Sequence, residues 1–258
     1  QGEPRLMLPE ERRRQIARRV AEEGVARVAE LSRLFGVAEE TIRRDLKALE
    51  AAGVLRGTHG GALGVAARPV APVAERISHN HELKAAIARA ALEMVHEGDT
   101  VFLDSGSTLL ELAKVLSARR ELVVVTHSLK IAAQLAEAPH ISVNVVGGSL
   151  RPQELALVGP ETRRALERMR AAKAFMACAG FGPSHGATVS DVFEADVKRA
   201  MIESAAEAIL LADHTKWERP SLVAYADLDR FAAVVTDAGL PEKARLQLRA
   251  LGIDVVIA

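Results

Sequence analysis

An α/β protein in two parts is what the amino-acid sequence predicts, on three observations. Residues 1–63 carry short, basic segments of helical period broken at a glycine; residues 64–78 shift to Ala, Val and Pro; and from His81 onward short Val/Ile/Leu runs alternate with amphipathic helices. Residues 1–63 are therefore expected to form one small unit, 64–78 a linker and 79–258 a larger α/β domain.

Glu10 to Glu22 reads as a helix, with Ile16 and Val20 four apart on one face and Arg12, Arg13, Arg14, Arg18 and Arg19 around the rest. A second helix, Val28 to Phe35, turns Val28, Leu31, Leu34 and Phe35 inward and stops at Gly36, a residue type that tolerates the left-handed backbone of a helix end. After the turn Gly36-Val37-Ala38, a third helix runs from Glu39 to about Ala52. It buries Ile42, Leu46 and Leu49 and leaves Thr41, Arg43, Arg44 and Lys47 to an outside partner. Two helices joined by a short turn, the second basic, form a helix-turn-helix, the geometry that lays a reading helix in the major groove of DNA. Val54 to Leu63 follows as two short strands about a glycine-rich turn. This would be a wing, from which Arg56 and His59 would reach the DNA backbone or minor groove. The competing reading of the same arginines is a solvated helix face on a packing unit.

In the linker, Pro69 and Pro72 are expected to stop any helix. Beyond it the pattern predicts a helix from His81 to His96, a strand Thr100 to Leu103, a helix Thr108 to Leu116 and a strand Leu122 to Val125. A helix Leu129 to Ala136 and a strand Ser142 to Val146 continue it, with later strand-like runs at Ala174 to Ala179 and Ile209 to Ala212. Apolar strands between amphipathic helices predict a Rossmann-like, doubly wound open sheet covered on both faces.

Ligands of such sheets bind beyond the carboxyl ends of the strands. Asp104-Ser105-Gly106-Ser107-Thr108 leaves the Val101-Phe102-Leu103 strand and opens a helix, which aims free N–H groups and the positive helix end at whatever sits there. Gly106 permits close approach, and Ser105, Ser107 and Thr108 add hydroxyl donors. Phosphate is the natural guest, although such a turn also serves simply to cap a helix. Thr126-His127-Ser128, Gly147-Gly148 and Gly180-Phe181-Gly182 follow other strands. Asp213-His214-Thr215-Lys216 brings a carboxylate and an ammonium to the same edge, where Lys216 would neutralise a phosphate. Glu194 and Lys198, four apart on a helix, read as a surface ion pair of small consequence. Trp217 reads equally as a cover over the pocket mouth or a structural aromatic.

The 34 basic and 34 acidic residues cancel, so attraction to nucleic acid must come from a local basic surface. The one cysteine, Cys178, reads as an inert core residue. Neither it nor the scattered histidines, His79, His81 and His214 among them, have partners at the spacing of a metal site. No apolar stretch approaches the length of a membrane span, and charged residues occupy the amino end where a signal peptide needs an apolar core. A soluble, cytoplasmic protein without metal or cofactor is therefore expected.

The leading Glu-Arg pair, Thr41-Ile42-Arg43-Arg44-Asp45-Leu46 and the His59-Gly60-Gly61-Ala62 exit resemble the start of DeoR-family transcriptional regulators. Asp104 to Thr108, Thr126 with Ser128-Leu129, Gly147-Gly148, Gly159-Pro160, Gly180, Glu194 with Lys198, and Asp213 with Lys216 resemble that family's effector domain. Its fold is related to those of ribose-5-phosphate isomerase, glucosamine-6-phosphate isomerase and CoA transferases. The resemblance covers nearly the whole chain. It implies a repressor of a carbohydrate operon that binds operator DNA through its winged helix and senses a phosphorylated sugar. The phosphate would be held by Ser105 to Thr108 and Lys216, with Asp104, Thr126, His127, Gly147, Gly148, Gly180 and Asp213 forming the rest of the effector site.

Two departures stand out. Ala38 replaces a common Ser that would cap the third helix, a loss that typically costs about 1 kcal/mol and that Glu39 and Glu40 partly offset through the helix dipole. His127 replaces the usual Asn. A homodimer or homotetramer is expected, since one winged helix makes few phosphate contacts. The rival reading is a sugar-phosphate isomerase or transferase with a DNA-binding appendage, Asp104 or Asp213 serving as general base; a protein-binding adaptor is a third.

Overall fold

A computed structural model describes residues 9–23, 25–52, 54–58, 61–64 and 72–258. The first unit is built from α1 (Pro9–Glu23), β1 (Val25–Arg27), α2 (Val28–Phe35), α3 (Glu39–Ala51), β2 (Leu55–Thr58) and β3 (Gly61–Gly64). Strand β3 lies between β1 and β2, antiparallel to both, so the expected two-stranded wing gains a third strand from the segment joining α1 and α2. Ile16, Val20, Val28, Leu31, Ile42, Leu46, Leu49 and Leu55 pack into its core with Ala26. Gly36 ends α2 at φ 63° and ψ 31°, the left-handed conformation for which a missing Cβ is suited. Leu34, expected inward, is 55% exposed. Successive helical residues are about 100° apart, and with Val28, Leu31 and Phe35 on the packed face Leu34 turns to solvent.

Residues 65–71 of the expected linker lie outside the described residues. Its end is not helix-free: α4 (Val73–Arg76) forms one turn immediately after Pro72. Proline disrupts a helix from within but suits its first positions, where no N–H is required. Val73 is buried and donates its N–H to the Gln153 carbonyl at 2.8 Å, fastening this turn to the larger domain.

That domain runs α5 (His81–Leu92), β4 (Thr100–Leu103), α6 (Ser107–Leu116), β5 (Leu122–Thr126), α7 (Leu129–Leu135), β6 (Ile141–Val145), β7 (Ser149–Arg151), β8 (Ala156–Val158), α8 (Pro160–Glu167) and β9 (Ala171–Met176). It continues β10 (Gly180–Gly182), β11 (Gly186–Val189), α9 (Val192–Glu203), β12 (Ala205–Leu211), β13 (Val223–Ala226), β14 (Ala233–Thr236), α10 (Glu242–Ala250) and β15 (Asp254–Ile257). Helix α5 stops short of the expected His96, and the chain turns to bury Val95.

Seven strands form one parallel sheet in the order β15-β14-β12-β9-β4-β5-β6. Alternation divides its side chains between two cores. Val101, Leu103 and Phe175 pack with Ile87, Leu109, Leu112 and Ile131 of α5, α6 and α7. Phe102, Ala174 and Met176 pack with Leu166, Val197, Met201 and Leu248 of α8, α9 and α10. The chain winds outward from β4 to β6, returns, and winds the other way from β9 to β15. The winding therefore reverses between β4 and β9, and loops leaving adjacent strands diverge there to open a crevice.

Candidate functional site

A cleft of about 430 Å³ occupies that reversal point. Gly106 from the loop after β4 and Ser107 and Thr108 from the start of α6 line it, with Ala177 and Cys178 from the loop after β9, and Asp213 and Lys216 from the loop after β12; Arg76, His79 and Lys84 face it from α4, the following turn and α5.

Asp104 anchors the first loop from beneath. Fully buried, it accepts hydrogen bonds from the backbone N–H of Ser105 and of Ala177, both at 2.8 Å, from His127 Nε2 at 3.1 Å, and from the Lys198 ammonium. Burial alone would raise its pKa, but the Lys198 charge and His127 overcome that and hold it at about 2. A carboxylate with four donors and so low a pKa is a poor proton acceptor, which removes Asp104 as the general base that an isomerase would need. His127 reaches the Leu157 carbonyl through Nδ1 at 2.9 Å. Thr126 donates its hydroxyl to the Leu103 carbonyl at 2.7 Å, and it too supports the loop from below.

Above this base Gly106 adopts φ 129°, strained for any other residue, and a Cβ there would stand 3.3 Å from the Ala177 Cβ. It opens α6 without a side-chain cap, and no acidic residue occupies the helix's first turn. The first N–H groups of the helix and its positive end are left facing the cleft.

The opposite wall is cationic. Lys84 is only 4% exposed and donates to the carbonyls of Arg76 and His79, which fixes the turn after α4. Burial lowers its pKa to about 8; Asp213 opposes that shift, while Lys216 and Arg76 add to it. Such a wall gains from any anion that enters.

Several expected positions fall elsewhere. Gly147, Gly148 and Gly180 do not line the cleft. Gly147 accepts the Thr162 hydroxyl at 2.6 Å, a Cβ on Gly148 would lie 2.1 Å from Thr162 Oγ1, and one on Gly180 would lie 1.6 Å from the Arg219 carbonyl oxygen. Close packing requires a glycine at 148 and 180, whereas a Cβ at Gly147 would meet nothing within 4 Å. Glu194 and Lys198 are not a surface pair: Lys198 is 1% exposed and Glu194 6%. Burial pushes the Glu194 carboxyl up, against the pull of Lys198. Cys178 lies beyond the end of β9, partly buried at the cleft wall, and burial pushes its thiol up to about 12, so it stays protonated. Trp217 packs edge-on against Phe181 with ring centres 5.2 Å apart. His214 pairs with Asp237 at 2.7 Å, and no cluster suited to a metal ion occurs among the described residues.

The sequence reading missed Arg76 and Lys84, and weighed His79 only as a metal ligand. Lys84 had a visible signal, since positions 84, 87, 88 and 91 form one helical stripe that is otherwise Ile and Ala.

At the other unit, α3 presents Arg43, Arg44 and Lys47 to solvent with Thr41 half-buried. Arg43 pairs with Glu39 at 2.9 Å, and Arg44 stands 4.0 Å from Glu40. Ala38 occupies the N-cap and supplies no side-chain hydrogen bond. Asp45, on the inner face, accepts from Arg12 Nε at 2.6 Å and lies 3.3 Å from Arg13 Nε. Arg12, expected on the outer face of α1, is therefore buried, because a carboxylate across the helix pair draws it inward. The backbone of Arg56 lies in β2; His59 lies outside the described residues.

Comparison with known proteins matches both units. The family described as DeoR-like helix-turn-helix domain matches residues 12–66, and the one described as DeoR C terminal sensor domain matches residues 79–238. An uncharacterized HTH-type transcriptional regulator, YulB of Bacillus subtilis, is 38% identical over 91% of this chain and 91% of its own. The HTH-type transcriptional regulator GlpR of Haloferax volcanii is 35% identical over 97% and 98%, and a putative aga operon transcriptional repressor of Escherichia coli O157:H7 is 31% identical over 99% and 96%. Among solved structures, a D-ribose-5-phosphate isomerase in complex with phospho-erythronic acid aligns at TM-score 0.41 and 16% identity over 53% of this chain and 54% of that one.

Proposed function

The chain belongs to the DeoR family of DNA-binding transcriptional regulators, and we propose that it represses a carbohydrate operon under the control of a phosphorylated sugar held in the cleft. The observation that carries this reading is the convergence of Lys84, Lys216 and the uncapped start of α6 on one crevice at the sheet's reversal point. A phosphomonoester brings the charge and the acceptors that these groups lack. Ser107 and Thr108 supply further donors, and Asp213 restrains the lysines. A symmetric dimer or tetramer would set two reading helices on half-sites about one helical turn or a multiple apart. The effector would act by binding DNA-competent and DNA-incompetent arrangements unequally.

Isothermal titration tests the cleft. Lys216→Ala and Lys84→Met should each weaken inorganic phosphate and sugar-phosphate binding by roughly tenfold or more, as expected for a charge-assisted contact, while operator affinity without effector stays the same. Unchanged phosphate affinity in both variants would sink the assignment. The affinity should also depend on pH through Lys84. A bound phosphate favours the charged ammonium, so affinity should hold below about pH 8 and fall above it, with proton uptake on binding at pH 9. The stability linkage has the matching sign: a base with a lowered folded pKa opposes folding below about 8, and that opposition fades as pH rises towards 10.5.

For the reading helix, Arg43→Ala or Arg44→Ala should each cost about 1–3 kcal/mol on an operator selected from a random duplex library and relax its sequence preference. Their ties to Glu39 and Glu40 are exposed pairs worth less than about 1 kcal/mol, readily exchanged for a base edge. Anisotropy titrations showing both variants at wild-type affinity would remove α3 as the reader.

A further inference from the structure

The phosphate-facing cleft continues into a second recess of about 300 Å³, lined by Arg76, Ser105, Glu154, Ser190, Glu194 and Lys198. Two buried groups in it have unmet hydrogen-bonding capacity. Ser105 is 2% exposed, and its hydroxyl has no partner among the described residues. The Glu194 carboxylate stands 3.6 Å from the Lys198 ammonium and 3.6 Å from Arg151 Nε, within the field of both cations but beyond hydrogen-bond reach of either. Leaving such groups open in a buried site is unfavourable unless a ligand supplies the partners.

The cations around the recess are engaged except at Arg151 Nε, which faces Glu194 without a partner among the described residues. Lys198 donates to Asp104 and to the Ala177 carbonyl, Arg76 to Glu154, and Arg151 to the Ser190 hydroxyl at 3.0 Å with Asp191 3.0 Å away. The carboxylates Asp104, Glu154, Asp191 and Glu194 against Arg76, Arg151 and Lys198 leave one negative charge in excess. A carboxylate on the ligand would add a second and would offer Glu194 no proton. An ammonium could donate to Glu194 but could accept nothing from the Ser105 hydroxyl. A neutral hydroxyl avoids both: it donates to Glu194 and accepts from Ser105.

We propose that this recess selects the uncharged, hydroxyl-bearing end of the phosphorylated sugar, with Glu194 and Ser105 as its specificity-determining residues, so that aldose or ketose monophosphates are accepted and aldonate phosphates of equal length rejected. The inference rests on the phosphate reading of the cleft and adds a filter on the other end of the effector.

Isothermal titration of the full-length protein tests it with inorganic phosphate first, then with glucose 6-phosphate against 6-phosphogluconate and ribose 5-phosphate against 5-phosphoribonate. One neutral sugar phosphate should bind more tightly than inorganic phosphate and roughly tenfold or more tighter than its aldonate partner, a discrimination typical of a site built to hydrogen-bond a hydroxyl. Glu194→Gln should erase most of that preference while leaving inorganic phosphate affinity unaltered. Ser105→Ala, which removes only an unpartnered hydroxyl, should weaken the neutral sugar phosphate alone and serves as the test if the glutamine variant does not fold. Equal or tighter binding of the aldonate phosphates, no gain of either neutral sugar phosphate over inorganic phosphate, or a preference unchanged in both variants would overturn the proposal. Failure of the wild-type protein to bind inorganic phosphate would overturn the phosphate reading beneath it instead.

Discussion

Asparagine in place of Asp104 is expected to destabilise the α/β domain by roughly 3–5 kcal/mol, the range seen when a buried ion pair loses one member. The substitution preserves shape, so the loss is electrostatic. An amide offers one acceptor oxygen and an NH₂ group, whereas the site presents four donors: two backbone N–H groups, His127 and Lys198. Lys198, 1% exposed, would keep Glu194, 3.6 Å away, and the weaker field of Glu154 to balance its charge. Pairing the change with Lys198→Met removes that orphaned charge and should recover part of the stability. The pH dependence has a definite sign. Asp104 is held at about 2, so its contribution is present above the unfolded carboxylate pKa near 4 and is lost as pH falls through 2; the gap between wild type and variant should narrow below pH 4. Denaturant unfolding monitored by exchange in β4 and β9 would measure it. A variant within about 1 kcal/mol of wild type, the effect of an ordinary point substitution, would show that the Lys198–Asp104–His127 array is not what fixes the loop.

How far this array was legible in the sequence depends on the range of the interactions. The strand, glycine and helix start at Thr100 to Leu116 are local: an apolar run, a residue free to adopt φ 129° and hydroxyls at a helix entrance are sufficient to place an anion site at the strand end. The cationic wall is not local. Lys84 and Arg76 precede the loop by a helix and a turn, and only the folded sheet brings them over it. Glu194 and Lys198 show the same limit in another form. A spacing of four gives the same pattern whether the helix face meets water or a buried carboxylate, so the sequence reading placed on the surface a lysine that the fold puts beneath the site. Glycines 147, 148 and 180 were read as part of the effector site, yet at 148 and 180 the neighbour that excludes a Cβ is Thr162 or the Arg219 carbonyl rather than a ligand, and at 147 there is none. In the first unit, the helix starts and the Gly36 stop follow from spacing and one backbone preference, whereas the three residues of β1 are too few to show a period.

In that unit the acidic residue of the reading helix carries the larger structural burden, and Asp45→Ala should abolish operator binding by unfolding the reader rather than by removing a contact. Asp45 lies between Arg44, which faces out, and Leu46, which faces in, and its carboxylate joins α3 to α1 through Arg12 at 2.6 Å and Arg13 at 3.3 Å. Removing one side of a buried pair costs about 3 kcal/mol or more. A unit this small has little stability in reserve, and its core consists of Leu, Ile, Val and Ala side chains without an aromatic among the fully buried ones. The loss should therefore consume most of what holds α1 against α3. Hydrogen exchange should accelerate throughout α1 and α3 while β4, β9 and β12 keep wild-type protection, and inorganic phosphate should still bind. Arg43→Ala and Arg44→Ala differ in kind: both should leave exchange in α3 unchanged and lower affinity through lost base contacts alone. If Asp45→Ala binds the selected operator within about threefold of wild type, less than 1 kcal/mol, the pair to Arg12 is dispensable and the orientation of α3 must come from its apolar face. If binding is lost with exchange unaltered, Asp45 acts at the DNA surface, through the position it imposes on Arg44. Only loss of binding together with loss of protection assigns the acid in Arg43-Arg44-Asp45 to building the helix that its two arginines use.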